Sequence, residues 1–102
     1  MYKLVAYKKW RIDNAFLAHQ ELALPILCAI ATIPPPRRTH DLASYSQCLG
    51  TDVVHILTEL QAHNYISGAS HLLKNEDSSI LTAKGEFAVR EIGEVRVNII
   101  VK

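Results

Sequence analysis

The stretch THDLASYSQCLGTDVVHILTELQAHNYIS, Thr39 to Ser67, decides the fold. Thr39 is a good N-cap for a short helix, His40 to Ser46, because its side-chain oxygen accepts from the free N–H groups of a first turn. Cys48, Leu49 and Gly50 read as a turn, with Gly50 free to take a positive φ. Thr51 is the next cap, and Asp52 sits favourably at the positive end of the helix dipole. The helix that follows runs to about His63. Its Val53, Ile56, Leu57 and Leu60 fall at i, i+3, i+4 and i+7, one continuous apolar stripe. Asn64 suits a left-handed helix terminator. Two helices joined by a short turn, with the second braced along one stripe, leave the other face of that second helix outward and rigid.

Working outward, Asp13 or Asn14 is a candidate cap for a first helical region over 13–32, rich in Leu, Ile and Ala. Pro25 lies inside it, so the spacing predicts either a kink or a restart at the proline. Pro34, Pro35 and Pro36 then force an extended break before Arg37 and Arg38. Beyond Tyr65 the reading is a wing over 66–82, with one strand near His71 to Lys74 and a returning strand over Ser78 to Thr82. A last helix is expected over 84–92. Val95, Val97, Ile99 and Val101 alternate as a C-terminal strand. Residues Tyr2 to Trp10 alternate more loosely and read as a short strand or an ordered arm.

The order of these elements resembles the winged helix-turn-helix transcription regulators of the MarR, PadR and Rrf2 type. Thr39 to Ser67 carries the helix-turn-helix of that resemblance. ILTAKGEFAVREI, Ile80 to Ile92, is similar to the "LT-x-KG" element that closes the wing and opens the last helix. The resemblance implies an α+β, helix-rich winged helix-turn-helix with a small antiparallel wing sheet, extended here by terminal strands, as one domain over 1–102. The iron–sulfur cysteine cluster of Rrf2 members has no counterpart, so no cofactor is expected.

By that resemblance the partner is double-stranded DNA, bound by a homodimer through the helix at 51–63 and the wing. Its candidate contacts are Arg37, Arg38 and Thr39 before and at the bracing helix, Thr51, His55 and Thr58 on the second helix, and His71 and Lys74 in the wing. The apolar edge of Val95 to Val101 invites a partner strand, which also favours a dimer.

Charge sets a second reading beside this one. The chain of 102 residues has 11 basic and 10 acidic residues, a formal net charge of +1, and five histidines. No Lys or Arg lies between Arg38 and Lys74, while Asp52 and Glu59 fall on the outward side of the second helix. DNA affinity comes mainly from neutralising phosphates. A winged helix that docks a protein partner is therefore the alternative. Other classes are disfavoured. There is no glycine-rich phosphate loop, nucleophile elbow or zinc spacing, so neither an enzyme nor a metal site is expected. The longest apolar run, Leu22 to Ile33, is too short to span a bilayer. Two cysteines without a secretory leader point to the cytoplasm.

Overall fold

The computed structural model describes residues 2–18, 20–68 and 76–93. Helix α1 spans Tyr2–Asp13, α2 Gln20–Thr32, α3 Thr39–Ser46, α4 Gly50–Ala62 and α5 Ala83–Ala88, which runs on into a π-helical turn, Val89–Gly93. Among the described residues, four two-residue strands form two antiparallel ladders. β1 (Arg37–Arg38) pairs with β3 (Glu76–Asp77), and β2 (Ile66–Ser67) pairs with β4 (Ile80–Leu81). The architecture is the helix-rich α+β winged helix that the sequence predicts.

Helix α2 is the centre. Ala23, Leu24, Pro25, Ile26, Leu27, Ala29 and Ile30 are all buried, so it is apolar on nearly every side, as a helix surrounded by others must be. It packs against α3, α4, α5, β4 and the π-helical turn. The apolar stripe of α4 closes the core from the other side, with Val53, Ile56, Leu57 and Leu60 at most 1% exposed.

Three expectations for the N-terminal part are corrected. Tyr2–Asp13 is a helix, neither a strand nor an arm. Tyr7, Trp10 and Asn14 are buried at i, i+3 and i+7, a helical stripe that the looser alternation of small and large residues conceals. Pro25 neither divides nor restarts α2, which is continuous through it. The chain breaks instead after Asp13. Asn14 does not cap a following helix; its Nδ2 donates to the Trp10 carbonyl (2.8 Å) and its Oδ1 accepts from the Tyr65 hydroxyl (2.6 Å). This buried link ties the end of α1 to the residue after the α4 terminator. Burial, the largest effect on it, raises the Tyr65 hydroxyl above its ordinary pKa of 10.0.

Caps also shift by a residue or two. Arg38, not Thr39, precedes the first turn of α3, and Asp41 Oδ2 accepts from its backbone N–H (3.0 Å). Leu49, not Thr51, stands at the N-cap of α4. The left-handed residue of the turn is Gln47 (φ 57), while Gly50 has joined the helix. Gln47 takes that conformation because Cys48 N–H reaches back to the Ala43 carbonyl (3.0 Å) and closes the end of α3. Asn64 is left-handed (φ 66), as expected, and lets Tyr65 N–H bond the Leu60 carbonyl (2.8 Å). The expected strands near His71 to Lys74 and over 95–101 lie outside the described residues.

The Tyr65 carbonyl joins the two halves of the domain. It accepts from Thr82 N–H (3.1 Å) and from Thr82 Oγ1 (3.0 Å), and Thr82 Oγ1 in turn accepts from Gly85 N–H as the cap of α5. A Cβ on Gly85 would collide with that same carbonyl oxygen. The first turn of α5 therefore sits on the backbone of Tyr65, and only glycine permits it. Gly85→Ala is expected to cost about 2 kcal/mol and to lower the melting temperature by roughly 10 °C, read by thermal unfolding.

Tyr65→Phe leaves Asn14 Oδ1 without its buried donor and is expected to cost about 1–2 kcal/mol at neutral pH. In the parent protein this stabilisation is complete below pH 10.0, the hydroxyl's ordinary value, and is lost as pH rises through the higher folded-state value. Denaturant unfolding across the alkaline range checks the sign. The phenylalanine variant loses that alkaline dependence.

Candidate nucleic-acid interface

Helices α3 and α4 enclose a shallow groove. Arg38, His40 and Ser44 line one side, and Thr51 and Val54 line the other. The groove exists because α4 turns its apolar stripe inward while α3 lies across it, burying Leu42 and Ala43. The outer face of α4 then carries Thr51, His55, Thr58 and Ala62, all exposed. These fall on one side of a 3.6-residue period, opposite Val53 and Leu60.

The expected contact residues divide into three groups. Arg38, Thr51, His55 and Thr58 are exposed on or beside this face. Thr58 Oγ1 donates to the Val54 carbonyl (3.0 Å), which leaves its oxygen outward as an acceptor. Thr39 lines the groove but is only 7% exposed. His71 and Lys74 lie outside the described residues.

Arg37 is a correction. It is 3% exposed, and its guanidinium donates to the carbonyls of Ile33 (2.7 Å), Ser79 (3.0 Å) and Ile30 (3.4 Å). Successive strand residues point to opposite faces, so Arg37 turns in where Arg38 turns out. Buried in this way, the guanidinium is turned from the outer surface. Arg37 is a brace of the fold.

The acidic residues near α4 bear less on the outer face than their sequence positions suggest. Glu59 Oε2 accepts from Ala18 N–H (3.0 Å), tying α4 to the segment before α2. Asp52 is half-buried in the first turn of α4. Both lie on the flank of the helix, away from the α3 groove. His40 is the residue that the sequence reading missed. It is exposed in the first turn of α3, with Nε2 3.4 Å from Ser44 Oγ and its side chain on the groove. Its signal was the i, i+4 pair of His40 and Ser44 on one helix face.

Cys48 is half-buried on the groove, with Sγ 3.3 Å from Ser46 Oγ. Among the described residues, no helix is long and apolar enough to cross a membrane.

No family model matches the sequence, and no curated protein is significantly similar to it. Two solved structures share the fold. One is MepR, a transcription regulator of the Staphylococcus aureus multidrug efflux pump MepA. It superposes with a TM-score of 0.58 at 18% identity, over 98% of this chain and 71% of that one. The other is the multiple antibiotic-resistance repressor MarR from Listeria monocytogenes, with a TM-score of 0.57 at 15% identity over 96% of this chain and 74% of that one. The chain thus has the winged-helix fold of MarR-type regulators.

The two adjacent arginines give a sharp contrast in stability. Arg37→Met leaves three carbonyls without their donor and is expected to cost about 3 kcal/mol, since a hydrogen bond from a charged donor is worth about 1.5–3 kcal/mol and the bonds are not additive. Arg38→Ala, with an exposed side chain, is expected to stay within about 0.5 kcal/mol of the parent. Urea unfolding of the two variants separates them.

Proposed function

We propose that this protein is a sequence-specific DNA-binding transcription regulator that works as a homodimer and not as an enzyme. The observation that carries the reading is the exposed face of α4. Thr51, His55 and Thr58 stand outward on a helix held rigid by α3, at the size and polarity that reach base edges in a major groove. The fold shared with two transcription regulators supports it. Arg38 stands at the rim of the groove for a phosphate. His71 and Lys74, expected from the sequence, belong to the contact set in this reading.

A dimer would set two α4 helices in successive major grooves, about 34 Å apart. Helix α1 offers a surface for it. Val5 and Ile12, at i and i+7, are 67% and 76% exposed on one helix face. Cys28 and Cys48, which form no disulfide, support a reducing, cytoplasmic setting.

One observation favours a second reading. The described part of α4 bears no Lys or Arg, and such a face also suits a protein partner. Binding to a randomised duplex library at low salt decides between the two. Arg38→Ala is expected to weaken all sequences alike and to reduce the salt slope by about 1. Thr51→Ala is expected to relax preference at one position by about 1–3 kcal/mol. No retention of any duplex by the parent protein would favour the protein partner.

A further inference from the structure

We propose that His40 and His55 supply cations to this interface, so that DNA binding is coupled to the uptake of protons. The inference rests on the DNA-binding reading and adds His40 to its contact set.

The charge distribution leads to it. From 39 to 73 the sequence has three carboxylates, Asp41, Asp52 and Glu59, and no Lys or Arg, yet it has four histidines. Among the described residues, Arg38 is the one Lys or Arg that lines the α3–α4 groove. A duplex laid on α4 would meet a single fixed cation there, whereas binding strength grows with each phosphate neutralised. Histidine is the side chain whose ordinary charge change falls between pH 5 and 8.

Two histidines are placed to act. His40 is exposed on the groove side of α3, between Arg38 and Ser44. His55 is exposed on the outer face of α4, one turn beyond Thr51, in a shallow depression shared with Ala18, Thr58 and Glu59. Arg38, His40, Thr51 and His55 thus run from the groove rim to the outer helix face.

Few charged groups stand around either histidine among the described residues. On its own helix His55 has Asp52 and Glu59, and among the described residues the segment packed beside it lines the depression with the uncharged Ala18. Glu59 already accepts from Ala18 N–H. His40 has Asp41 and Arg38 beside it in the chain, and faces Thr51 and Val54 of α4. Asp41 accepts from the Arg38 backbone, and Glu76 is the strand partner of Arg38. His63 is placed differently. It is half-buried at the far end of α4, with its ring 4.3 Å from that of Phe16.

A phosphate beside a protonated imidazole holds the proton, and by reciprocity the proton holds the phosphate. Each such contact adds about 0.9 to the salt slope, or about tenfold in affinity at 0.1 M salt.

The test is fluorescence anisotropy with a labelled duplex of about three helical turns, on the full chain, at pH 8 and pH 6, over a salt series. The parent protein is expected to gain about 10- to 100-fold in affinity at pH 6 for each protomer of the dimer, with a salt slope steeper by about 1–2 per protomer. His40→Gln and His55→Gln are each expected to remove about half of that gain on a logarithmic scale. His63→Gln is expected to keep it. Circular dichroism at both pH values confirms that each variant is folded. The salt slopes of the unmodified protein test the proposal even where a variant is not. Tight binding with the same affinity and slope at both pH values overturns the proposal and leaves the DNA reading intact, as does a pH gain that survives in the double glutamine variant. No binding at either pH overturns the DNA reading itself.

Discussion

The guanidinium of Arg37 is the contact on which the positions of the other parts depend. It donates to Ile30 and Ile33 at the carbonyl end of α2 and to Ser79 just before β4. Helix ends leave carbonyls without intrahelical partners, and a cation there also answers the negative end of the dipole. One planar group with several fixed donors does both and reaches across to the returning strand. Because β1 leads directly into α3 at Thr39, fixing Arg37 fixes where the bracing helix starts. The groove between α3 and α4 inherits its position from a buried contact beneath its rim.

The same two-residue strand explains why adjacent arginines take opposite roles. Side chains alternate across a strand, so an inward Arg37 makes Arg38 outward. Arg38 then caps the approach to α3 with its backbone and leaves its side chain to solvent. Composition cannot separate these two residues. Only the strand and its register, Arg37 opposite Asp77 and Arg38 opposite Glu76, assign one to the fold and the other to the surface. A similar division holds on α4, where Glu59 turns toward Ala18 while His55 one turn earlier stays free at the outer face.

Legibility follows the range of the interactions. The stripe of α4, the left-handed Asn64 and the helix pair around the turn are local in sequence, and their periodicity carries them. Helix α1 is hard to read because its buried face is made by a tyrosine, a tryptophan and an asparagine, and Trp10 and Asn14 meet Tyr65, 51 positions from Asn14. The inward turn of Arg37 and the bond of Glu59 are hidden for a related reason. Arg37 reaches Ser79, 42 positions away, besides its neighbours Ile30 and Ile33, and Glu59 meets Ala18, 41 positions away, and no local pattern announces the distant partners. Gly85 was legible as a motif residue, but its physical necessity appears only when the Tyr65 carbonyl is seen against it. The outward residues Thr51, His55 and Thr58 were readable from helical spacing alone, since a helix with a well-defined inside has a well-defined outside.

The low charge of the surface has a consequence for recognition. Non-specific affinity for DNA is almost wholly electrostatic, and it competes with the specific site across a vast excess of other sequence. A face with few fixed cations binds arbitrary DNA weakly. In the proposed complex, contacts from Thr51 and Thr58 to base edges would then form a larger fraction of the total free energy, and each mismatch would cost about 1–3 kcal/mol against a smaller background. A surface with few phosphate contacts therefore favours discrimination over tight indiscriminate binding, provided that α4 is held in place. The buried Arg37 fan, the Glu59–Ala18 bond and the Tyr65–Thr82–Gly85 junction supply that rigidity without placing fixed positive charge on the outer face.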